Sequence, residues 1–167
     1  MAKQSVQFYF GDGIEPTEKF YLYERIITDR GSRYSVSVGL VQNREDIKKF
    51  LKLLKSRKKY ARATHNTWAA RIAREGAVYE TKQDDGETGA GMVILRVMQQ
   101  RNLTNAVVCV TRWFGGVKLQ GDRFKHVKDA TQYAVDQIEK NWPRTARMVV
   151  SFFLCVQVGL TTGWNKS

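Results

Sequence analysis

Three carboxylates and a histidine are the residues of this chain whose types best suit acid–base or metal chemistry. Asp84, Asp85 and Glu87 lie in one polar segment, Asp84-Asp85-Gly86-Glu87, and His65 lies upstream. Carboxylates and imidazole are the groups that divalent cations and general bases require, but no spacing motif supports either use here. Carboxylates before a helix are also stabilised by the helix dipole and by its free amides. We therefore expect the segment to cap a helix, and metal-assisted or general-base catalysis is the less favoured alternative.

A structural zinc site is not expected. The histidines and cysteines of the chain do not occur at any usual zinc-ligand spacing. Cys109 and Cys155 each lie inside an apolar run, where a thiol behaves as a small hydrophobic side chain. The sequence therefore predicts a protein of a reducing compartment with no metal and no cofactor.

A glycine-containing segment, Thr111 to Gly116, could bind an anion. It follows a predicted central strand and precedes a helix, where open α/β sheets place ligands and where glycines permit backbone amides to approach a phosphate or an acidic peptide. Gly115-Gly116 matches neither the dinucleotide fingerprint nor the P-loop, so we favour a tight turn. Trp113 and Phe114 could stack on nucleic-acid bases or anchor a protein partner, and a place in the core is equally expected.

The strong positive charge is the clearest signal in the composition. The chain has 28 Lys plus Arg against 16 Asp plus Glu, a net charge of +12, which favours phosphate backbones or acidic protein surfaces as partners. A lysine-rich helix face is more often a solvated surface, and that alternative stays open. The cations on and after one predicted helix are our candidate partner-binding residues: Lys48, Lys49, Lys52, Lys55, Lys58, Lys59 and Arg62.

Hydrophobic spacing predicts the elements that position these residues. Residues 33–40 alternate with period two, as in a strand with one buried face, and residues 67–72 predict a second strand after Thr64-His65-Asn66. A polar loop is predicted over 82–87. Between the two strands, Asn43 caps a predicted helix. The apolar stripe of this helix is Ile47, Phe50, Leu51 and Leu54.

The second half of the chain continues the alternation. Residues 88–100 are apolar almost all round, as in a helix packed on a sheet. Residues 106–110 are a continuous apolar run, typical of a central strand covered on both sides. A third helix is predicted from Asp122 to about Lys140, and residues 148–158 predict a last strand. The class is therefore α+β with a mixed sheet.

No segment predicts a membrane span or a secretory signal. The first residues lack a continuous apolar stretch, and the longest apolar segment, Met148 to Leu160, is too short to cross a bilayer. Asp12 and Glu15 come early and no arginine precedes Arg25, which argues against a mitochondrial presequence. We expect a cytoplasmic protein with no membrane partner.

Four motifs and a lead-in segment occur in the order and spacing of a known family. On these the chain resembles the Impact family of translation regulators over roughly residues 28 to 140, and the DRFKH string indicates the eukaryotic branch. The segments are Thr28 to Ser32 (TDRGS), Ala63 to Ile72 (ATHNTWAARI), Asp84 to Gly91 (DDGETGAG), Val110 to Leu119 (VTRWFGGVKL) and Gly121 to His126 (GDRFKH).

The resemblance implies a fold similar to the second domain of ribosomal protein S5, with helices packed on one face of a mixed sheet. It also implies an N-terminal extension over 1–27, the Impact domain over 28–140, and a C-terminal strand and tail over 141–167. The motif loops and the basic helix together are expected to make up a docking face, in which Arg112 reaches Asp84 or Asp85. The loop residues concerned are Thr64, His65, Asn66, Asp84, Asp85, Gly86, Glu87, Arg112, Trp113, Gly115, Gly116, Arg123 and His126.

What the resemblance implies is regulation and not catalysis. Eukaryotic Impact proteins bind the ribosome-associated scaffold that activates the amino-acid-starvation kinase acting on initiation factor two, and so restrain that kinase; some also bind monomeric actin. This chain has Gln120-Gly121 where Gly-Pro is usual, and 1–27 and 141–167 are too short for the RWD or ferredoxin-like domain of other members. The alternative function is an RNA-binding or ribosome-associated module that uses the basic helix, with no role in starvation signalling.

Overall fold

The computed structural model describes residues 20–141, so the strand predicted over 148–158 lies outside the described residues. The chain divides into one unit that ends at Asp136 and a second that begins at Gln137, and the described part of the second is the end of the last helix. No helix of the described part is long and apolar enough to cross a membrane. The elements are β1 (Phe20–Asp29), β2 (Ser32–Leu40), α1 (Arg44–Ser56), α2 (Lys58–Ala61), β3 (His65–Arg74), β4 (Ala77–Gln83), α3 (Ala90–Gln100), β5 (Ala106–Trp113) and α4 (Asp122–Asn141).

The five strands form one sheet in the order β1-β2-β5-β3-β4, and all four pairings are antiparallel. The α+β class is confirmed, whereas the prediction of a mixed sheet is wrong. β2 and β3 run in the same direction, as strands joined by a helical connection commonly do. They are not neighbours, however, because β5 lies between them and pairs antiparallel with both. The central position predicted for residues 106–110 is confirmed, since β5 is buried from Ala106 to Arg112.

One face of the sheet is covered by α1 and α2. Asn43 begins α1 as predicted, because its side chain accepts a hydrogen bond from the Asp46 N–H at 2.9 Å. Three residues of the predicted apolar stripe, Ile47, Phe50 and Leu54, are buried in one hydrophobic cluster with sheet residues, and the fourth, Leu51, is partly buried against it. The helix therefore presents its lysines to solvent on the opposite side.

The other face of the sheet is covered by α3 and by the part of α4 that ends at Asp136. The Arg71 guanidinium of β3 donates to the Met98 carbonyl of α3 at 3.3 Å, and Tyr23 of β1 meets Tyr133 of α4 edge to face. The expectation of helices on one face is therefore wrong. For the same reason β2, which was predicted to have one buried face, is buried on both faces over most of its length.

Two strands were not predicted from the sequence. β4 is an edge strand whose residues are mostly exposed, so no run of buried apolar positions marks it. β1 begins at Phe20, inside the stretch that was interpreted as an N-terminal extension, and its pairing with β2 is interrupted by an irregularity between Tyr23 and Ile27. The bulge breaks the period-two pattern by which strands are recognised in a sequence.

Candidate functional site

The motif segments meet at one end of the sheet, which we call the motif end. Thr64 to Asn66 lies where β3 starts, Asp84 to Glu87 follows β4, and Arg112 to Gly116 includes the end of β5. The turn between β1 and β2 lies at the same end, because the first residues of β2 pair with the last residues of β5. The antiparallel order of the sheet thus brings together residues that are far apart in the sequence.

Arg112 and Glu87 form a buried ion pair in the motif end. Arg112 Nη1 lies 2.5 Å from Glu87 Oε1, and the two side chains are only 6% and 2% exposed. Arg112 Nη2 also donates to Ser32 Oγ at 3.5 Å. The expectation that Arg112 reaches Asp84 or Asp85 is wrong, since its carboxylate partner is Glu87. Breaking such a pair leaves an uncompensated buried charge, so the pair holds the loop after β4 against the end of β5.

Asp84 and Asp85 both accept hydrogen bonds from backbone amides. The Asp84 carboxylate accepts from the Gly89 and Gly91 N–H groups, at 2.9 and 2.8 Å, where α3 begins. These bonds, that of Gly89 first, lower the pKa of Asp84. Asp85 Oδ2 accepts from the Asn66 N–H at 2.7 Å and so fastens the loop to β3. The helix-capping interpretation of the acidic segment is thus confirmed at Asp84.

The Thr64-His65-Asn66 segment is held by its neighbours through side chains. His65 Nδ1 lies 2.9 Å from the Asp85 carbonyl oxygen and donates to it. The Thr111 hydroxyl donates to Asn66 Oδ1 at 2.8 Å, and Asn66 Nδ2 donates to the Tyr60 carbonyl at 3.0 Å. These polar groups are therefore engaged in holding β3, β5 and α2 together.

The glycine-containing segment after β5 approaches the β1–β2 turn backbone to backbone. The Gly115 N–H donates to Ser32 Oγ at 3.3 Å. A Cβ atom at Gly115 would overlap the carbonyl carbon of Gly31, and one at Gly31 would lie 2.8 Å from the Gly115 carbonyl oxygen. Gly116 has φ +94°, a conformation that glycine adopts at little cost. The two glycines are thus required by the close approach of the chain and by the turn.

The first turns of α4 contact the β1–β2 turn through charged groups. His126 Nε2 lies 2.8 Å from Asp29 Oδ2, and Arg30 pairs with Asp29 at 3.0 Å and also with Asp122. These partners, Arg30 first and His126 second, lower the pKa of Asp29. Arg123 lies over the phenyl ring of the next residue, 4.6 Å from its centroid. Of the predicted motif residues of α4, His126 therefore joins the helix to the motif end, whereas Arg123 contacts its own helix.

The basic residues predicted to bind a partner lie together on α1, α2 and the residue after α2. Lys48 pairs with Glu45 at 2.8 Å, and Lys59 pairs with Glu24 at 3.1 Å. Glu45 and Asp46 of α1, together with Glu24, are fewer than the seven cations, so this region is positive. We call the following exposed residues the basic surface: Lys48, Lys49, Lys52, Lys55, Lys58, Lys59 and Arg62.

Trp113 and Phe114, adjacent in sequence, have different environments. The Trp113 indole N–H donates to the Lys59 carbonyl at 3.2 Å, and its ring meets Tyr60 edge to face at 5.2 Å. Phe114 is 47% exposed, although its N–H donates to Thr64 Oγ1 at 2.9 Å. Trp113 therefore packs against α2, and Phe114 is the aromatic side chain that presents more of its surface to solvent.

The structure gives the surroundings of one cysteine and of the possible metal ligands within residues 20–141. That part of the chain has no group of three or more His, Cys, Asp or Glu side chains that could hold a metal ion. Cys109 is fully buried, and burial raises the pKa of its thiol to about 12. Its interpretation as a small hydrophobic residue is confirmed, whereas Cys155 lies outside the described residues.

The motif end and the basic surface lie within one domain that is matched by a family model. Residues 30–135, more than half of the chain, match the Impact N-terminal domain. The chain belongs to the Impact family. It is 40% identical over 121 residues to the mouse Protein IMPACT, with 71% of this chain and 37% of that protein covered.

A second curated relative and two solved structures are also similar to this chain over part of their length. The IMPACT homolog of Saccharomyces cerevisiae is 40% identical over 111 residues, with 65% of this chain and 43% of that protein covered. The solved structure of the two-domain translational regulator Yih1 is similar at a TM-score of 0.51 and 33% identity, with 82% of this chain and 54% of that chain covered. A crystal structure of a hypothetical protein shares the fold at a TM-score of 0.61 and 20% identity. The matched part of this chain spans less than half the length of these curated Impact relatives.

Two residues of the motif end were not assigned a role from the sequence. The Ser32 hydroxyl accepts hydrogen bonds from Arg112 and Gly115, and its place in the lead-in motif of the Impact family was the available signal. Tyr34 is fully buried and faces Arg112, and burial raises its pKa to about 12. Its hydroxyl has no hydrogen-bond partner among residues 20–141, and the period-two pattern marked Tyr34 only as part of the buried face of a strand.

Proposed function

We propose that this chain is a non-enzymatic regulator of translation that docks on an acidic surface of a partner protein through its basic surface. The observation that supports this most is the exposure of all seven cations of the basic surface, which outnumber the carboxylates of α1 and Glu24 beside them. A concentrated positive field of this kind raises the association rate with an acidic partner and sets its orientation.

The partner that membership of the Impact family favours is the ribosome-associated scaffold that activates the amino-acid-starvation kinase. Binding to that scaffold restrains the kinase, so the chain acts as a repressor in this stress response in the cytoplasm. The similarity to the translational regulator Yih1 supports this class of function. Monomeric actin is the second partner to be tested.

The motif end contributes to this proposal by supporting the surface. Its carboxylates accept backbone amides or pair with Arg112, and His65 donates to a backbone carbonyl. Carboxylates that are engaged in this way stabilise loops, and the hydrogen bond of His65 Nδ1 fixes the imidazole ring against the Asp85 backbone. We therefore assign the motif end to holding β5 and α2 in place and the basic surface to docking.

A second candidate is an RNA-binding or ribosome-associated module. It is favoured by the net charge of +12 and by Phe114, which is 47% exposed beside Arg112 and could stack on a base. Binding of this kind weakens log-linearly with salt, because each neutralised phosphate releases counterions. The two candidates therefore differ in what nuclease treatment and salt do to binding.

The deciding experiment is a pull-down of the scaffold, of actin and of ribosomes by the purified chain, with and without nuclease. We expect the scaffold to be retained after nuclease treatment. We also expect its retention to fall at least tenfold when three lysines of α1 are reversed, since each cation lost from a charge-complementary interface slows association. The reversed residues are Lys48, Lys52 and Lys55, each changed to Glu.

A matched control separates the basic surface from net charge. Three exposed lysines outside the basic surface, changed to Glu, lower the net charge by the same amount and should leave retention within about twofold. Loss of the scaffold after nuclease treatment, with steep log-linear salt dependence, would instead support the RNA-binding module. The control residues are Lys118, Lys125 and Lys128.

A further inference from the structure

A small pocket next to α2 has a lining dominated by cations. It has a volume of about 210 Å³ and is lined by Arg25, Arg33, Lys59 and Trp113. Trp113 and Arg33 are paired residues of β5 and β2, and Lys59 lies on α2. The pocket therefore lies at the motif end, on the face of the sheet that α1 and α2 cover.

The position of Arg25 depends on the bulge in β1. Three residues separate Tyr23 from Ile27, whereas a single residue, Ser35, separates their partners on β2. Arg25 has φ +50°, the left-handed region that non-glycine residues rarely adopt, and its N–H donates to Ser35 Oγ at 3.0 Å. Bulges often re-aim a side chain, and strained backbone is retained where the surrounding structure fixes it. The bulge thus directs an arginine into the pocket.

The positive charge of the pocket is only partly neutralised. Within residues 20–141, neither the Arg25 nor the Arg33 guanidinium has a carboxylate or hydrogen-bond partner. Lys59 pairs with Glu24 at 3.1 Å, and the Tyr60 hydroxyl also donates to Glu24, at 2.8 Å. One carboxylate is therefore shared by a lysine and a tyrosine, and both guanidinium groups remain available to an anion.

Trp113 forms a rigid wall of the pocket. Its indole N–H is occupied by the Lys59 carbonyl, its ring meets the Tyr60 ring at an interplanar angle of 69°, and Lys59 Nζ lies 5.4 Å from its ring centroid. An indole fixed in this way offers contact area at little cost in conformational entropy. It therefore suits the methylene atoms that carry an anionic group better than it suits a base, which needs a free ring face for stacking.

The chemistry of the lining identifies the ligand class. Guanidinium groups match the oxygens of a phosphate in bidentate geometry, and arginine clusters recognise phosphorylated side chains. Nucleotides and other small molecules usually occupy larger and mostly apolar pockets of roughly 300–1,000 Å³, whereas a phosphoryl group on a short side chain needs less room. We propose that Arg25, Arg33, Lys59 and Trp113 form a binding site for a phosphorylated side chain of a protein.

This inference goes beyond docking by the basic surface, and it does not require a role in translation. Lys59 belongs to both regions, but Arg25 and Arg33 belong to the pocket alone. The pocket would add a phosphorylation-dependent contact to a binding surface that otherwise depends on net charge. A partner would then bind more tightly after a kinase has modified it.

The test is an NMR titration that follows the indole N–H of Trp113 in the nitrogen-15-labelled chain. The probes are three capped five-residue peptides with a central phosphoserine, serine or glutamate between alanines. We expect a saturable shift with phosphoserine, and affinity at least about tenfold weaker with serine and with glutamate, because neither presents a dianion to two guanidinium groups.

Two pocket variants and one control complete the test. Arg25→Asn keeps a residue that tolerates the left-handed backbone, and Arg33→Gln alters an exposed side chain. Each should weaken phosphoserine binding about tenfold or more with an unchanged melting temperature. Lys128→Gln removes the same charge outside the pocket and the basic surface and should change the affinity less than about twofold.

Three results would overturn the proposal. Equal binding of the serine and phosphoserine peptides would remove the phosphoryl specificity. An equal loss of affinity in Lys128→Gln would show that the effect comes from net charge alone. If a five-nucleotide uridine oligomer shifts the same indole signal and binds more tightly than the phosphoserine peptide, the ligand of the pocket is RNA and not a phosphorylated protein. If Arg25→Asn does not fold, Arg33→Gln and Lys59→Gln give the same readout.

Discussion

The motif end and the basic surface differ in how their polar groups are satisfied. At the motif end, Arg112 pairs with Glu87 in a site where both side chains are almost fully buried, and Asp84 and Asp85 accept backbone amides. On the basic surface, seven exposed cations outnumber the nearby carboxylates, of which Glu45 pairs with Lys48 and Glu24 with Lys59. The motif end is therefore organised to hold segments of the chain together, whereas the basic surface keeps its charge available to another molecule.

The residues that mark the Impact family and the residues to which we assign partner binding lie in different regions of the molecule. The motifs that mark the Impact family are densest where a buried ion pair, helix-capping bonds and a glycine contact require particular residue types. Lysines on an exposed helix face need only their charge and can be exchanged with little effect on folding. The residues that identify the family are thus not the residues to which we assign binding.

The largest expected effect comes from breaking the buried ion pair. Arg112→Ala should lower the free energy of unfolding by about 3–5 kcal/mol, because it leaves the buried Glu87 carboxylate without its partner. Urea denaturation measures this directly. The double variant Arg112→Met, Glu87→Leu should recover most of the loss. A single-variant loss below about 1 kcal/mol would place the pair among ordinary surface ion pairs and contradict its structural role.

The next effect concerns the glycine contact between the β1–β2 turn and the end of β5. Gly115→Ala should cost about 3 kcal/mol or more, since its Cβ atom would overlap the Gly31 backbone and force the two segments apart. Gly116→Ala has open space and carries only the cost of its left-handed backbone, about 1–2 kcal/mol. Thermal melting of the two variants side by side gives the order, and the reverse order would show that the two segments do not meet closely.

A smaller effect is expected from Asp84. Asp84→Ala removes the acceptor for two amides at the start of α3 and should cost about 1–2 kcal/mol at neutral pH. Because the pKa of Asp84 is lowered by folding, its contribution is fully present above the unfolded value of 3.8 and is lost as the pH falls through the folded pKa. Unfolding curves of both proteins between neutral and acidic pH should therefore converge at low pH. A difference that stays constant would contradict the charge-dependent cap.

The smallest effect on stability is expected on the basic surface. Changing Lys48, Lys52 and Lys55 to Glu should alter the free energy of unfolding by less than about 0.5 kcal/mol per site, because all three side chains are exposed. The loss of one pairing with Glu45 adds little, since surface ion pairs contribute about 0–1 kcal/mol. A cooperative loss of several kcal/mol in urea denaturation would mean that these lysines hold the fold as well.

The sequence predicted the elements whose burial is regular. Asn43 and the stripe of α1, the central strand β5 and the start of α4 at Asp122 follow from local patterns of capping and apolar spacing. β4 was missed because an exposed edge strand has no apolar period, and β1 because its bulge breaks the period. The order of the strands was not predictable, since the position of β5 between β2 and β3 depends on long-range pairing.

The sequence predicted which residues meet at the motif end, but it did not predict which of them pair with one another. The motif residues meet as expected, yet Arg112 selects Glu87 over Asp84 and Asp85, because the start of α3 and β3 already engage those two carboxylates. No sequence pattern marked Arg25 and Arg33 as site residues. Their position beside Trp113 depends on the bulge in β1 and on the β2–β5 register. Spacing along the chain does not report which of several nearby carboxylates an arginine reaches.

The most direct test of the division between these two regions compares scaffold retention by two variants in nuclease-treated extracts. One is the folded double variant Arg112→Met, Glu87→Leu, and the other is the Lys48, Lys52 and Lys55 charge reversal. We predict that the double variant retains the scaffold within about twofold and that the charge reversal loses it at least tenfold. Loss in the double variant with retention in the charge reversal would show that the partner binds at the motif end.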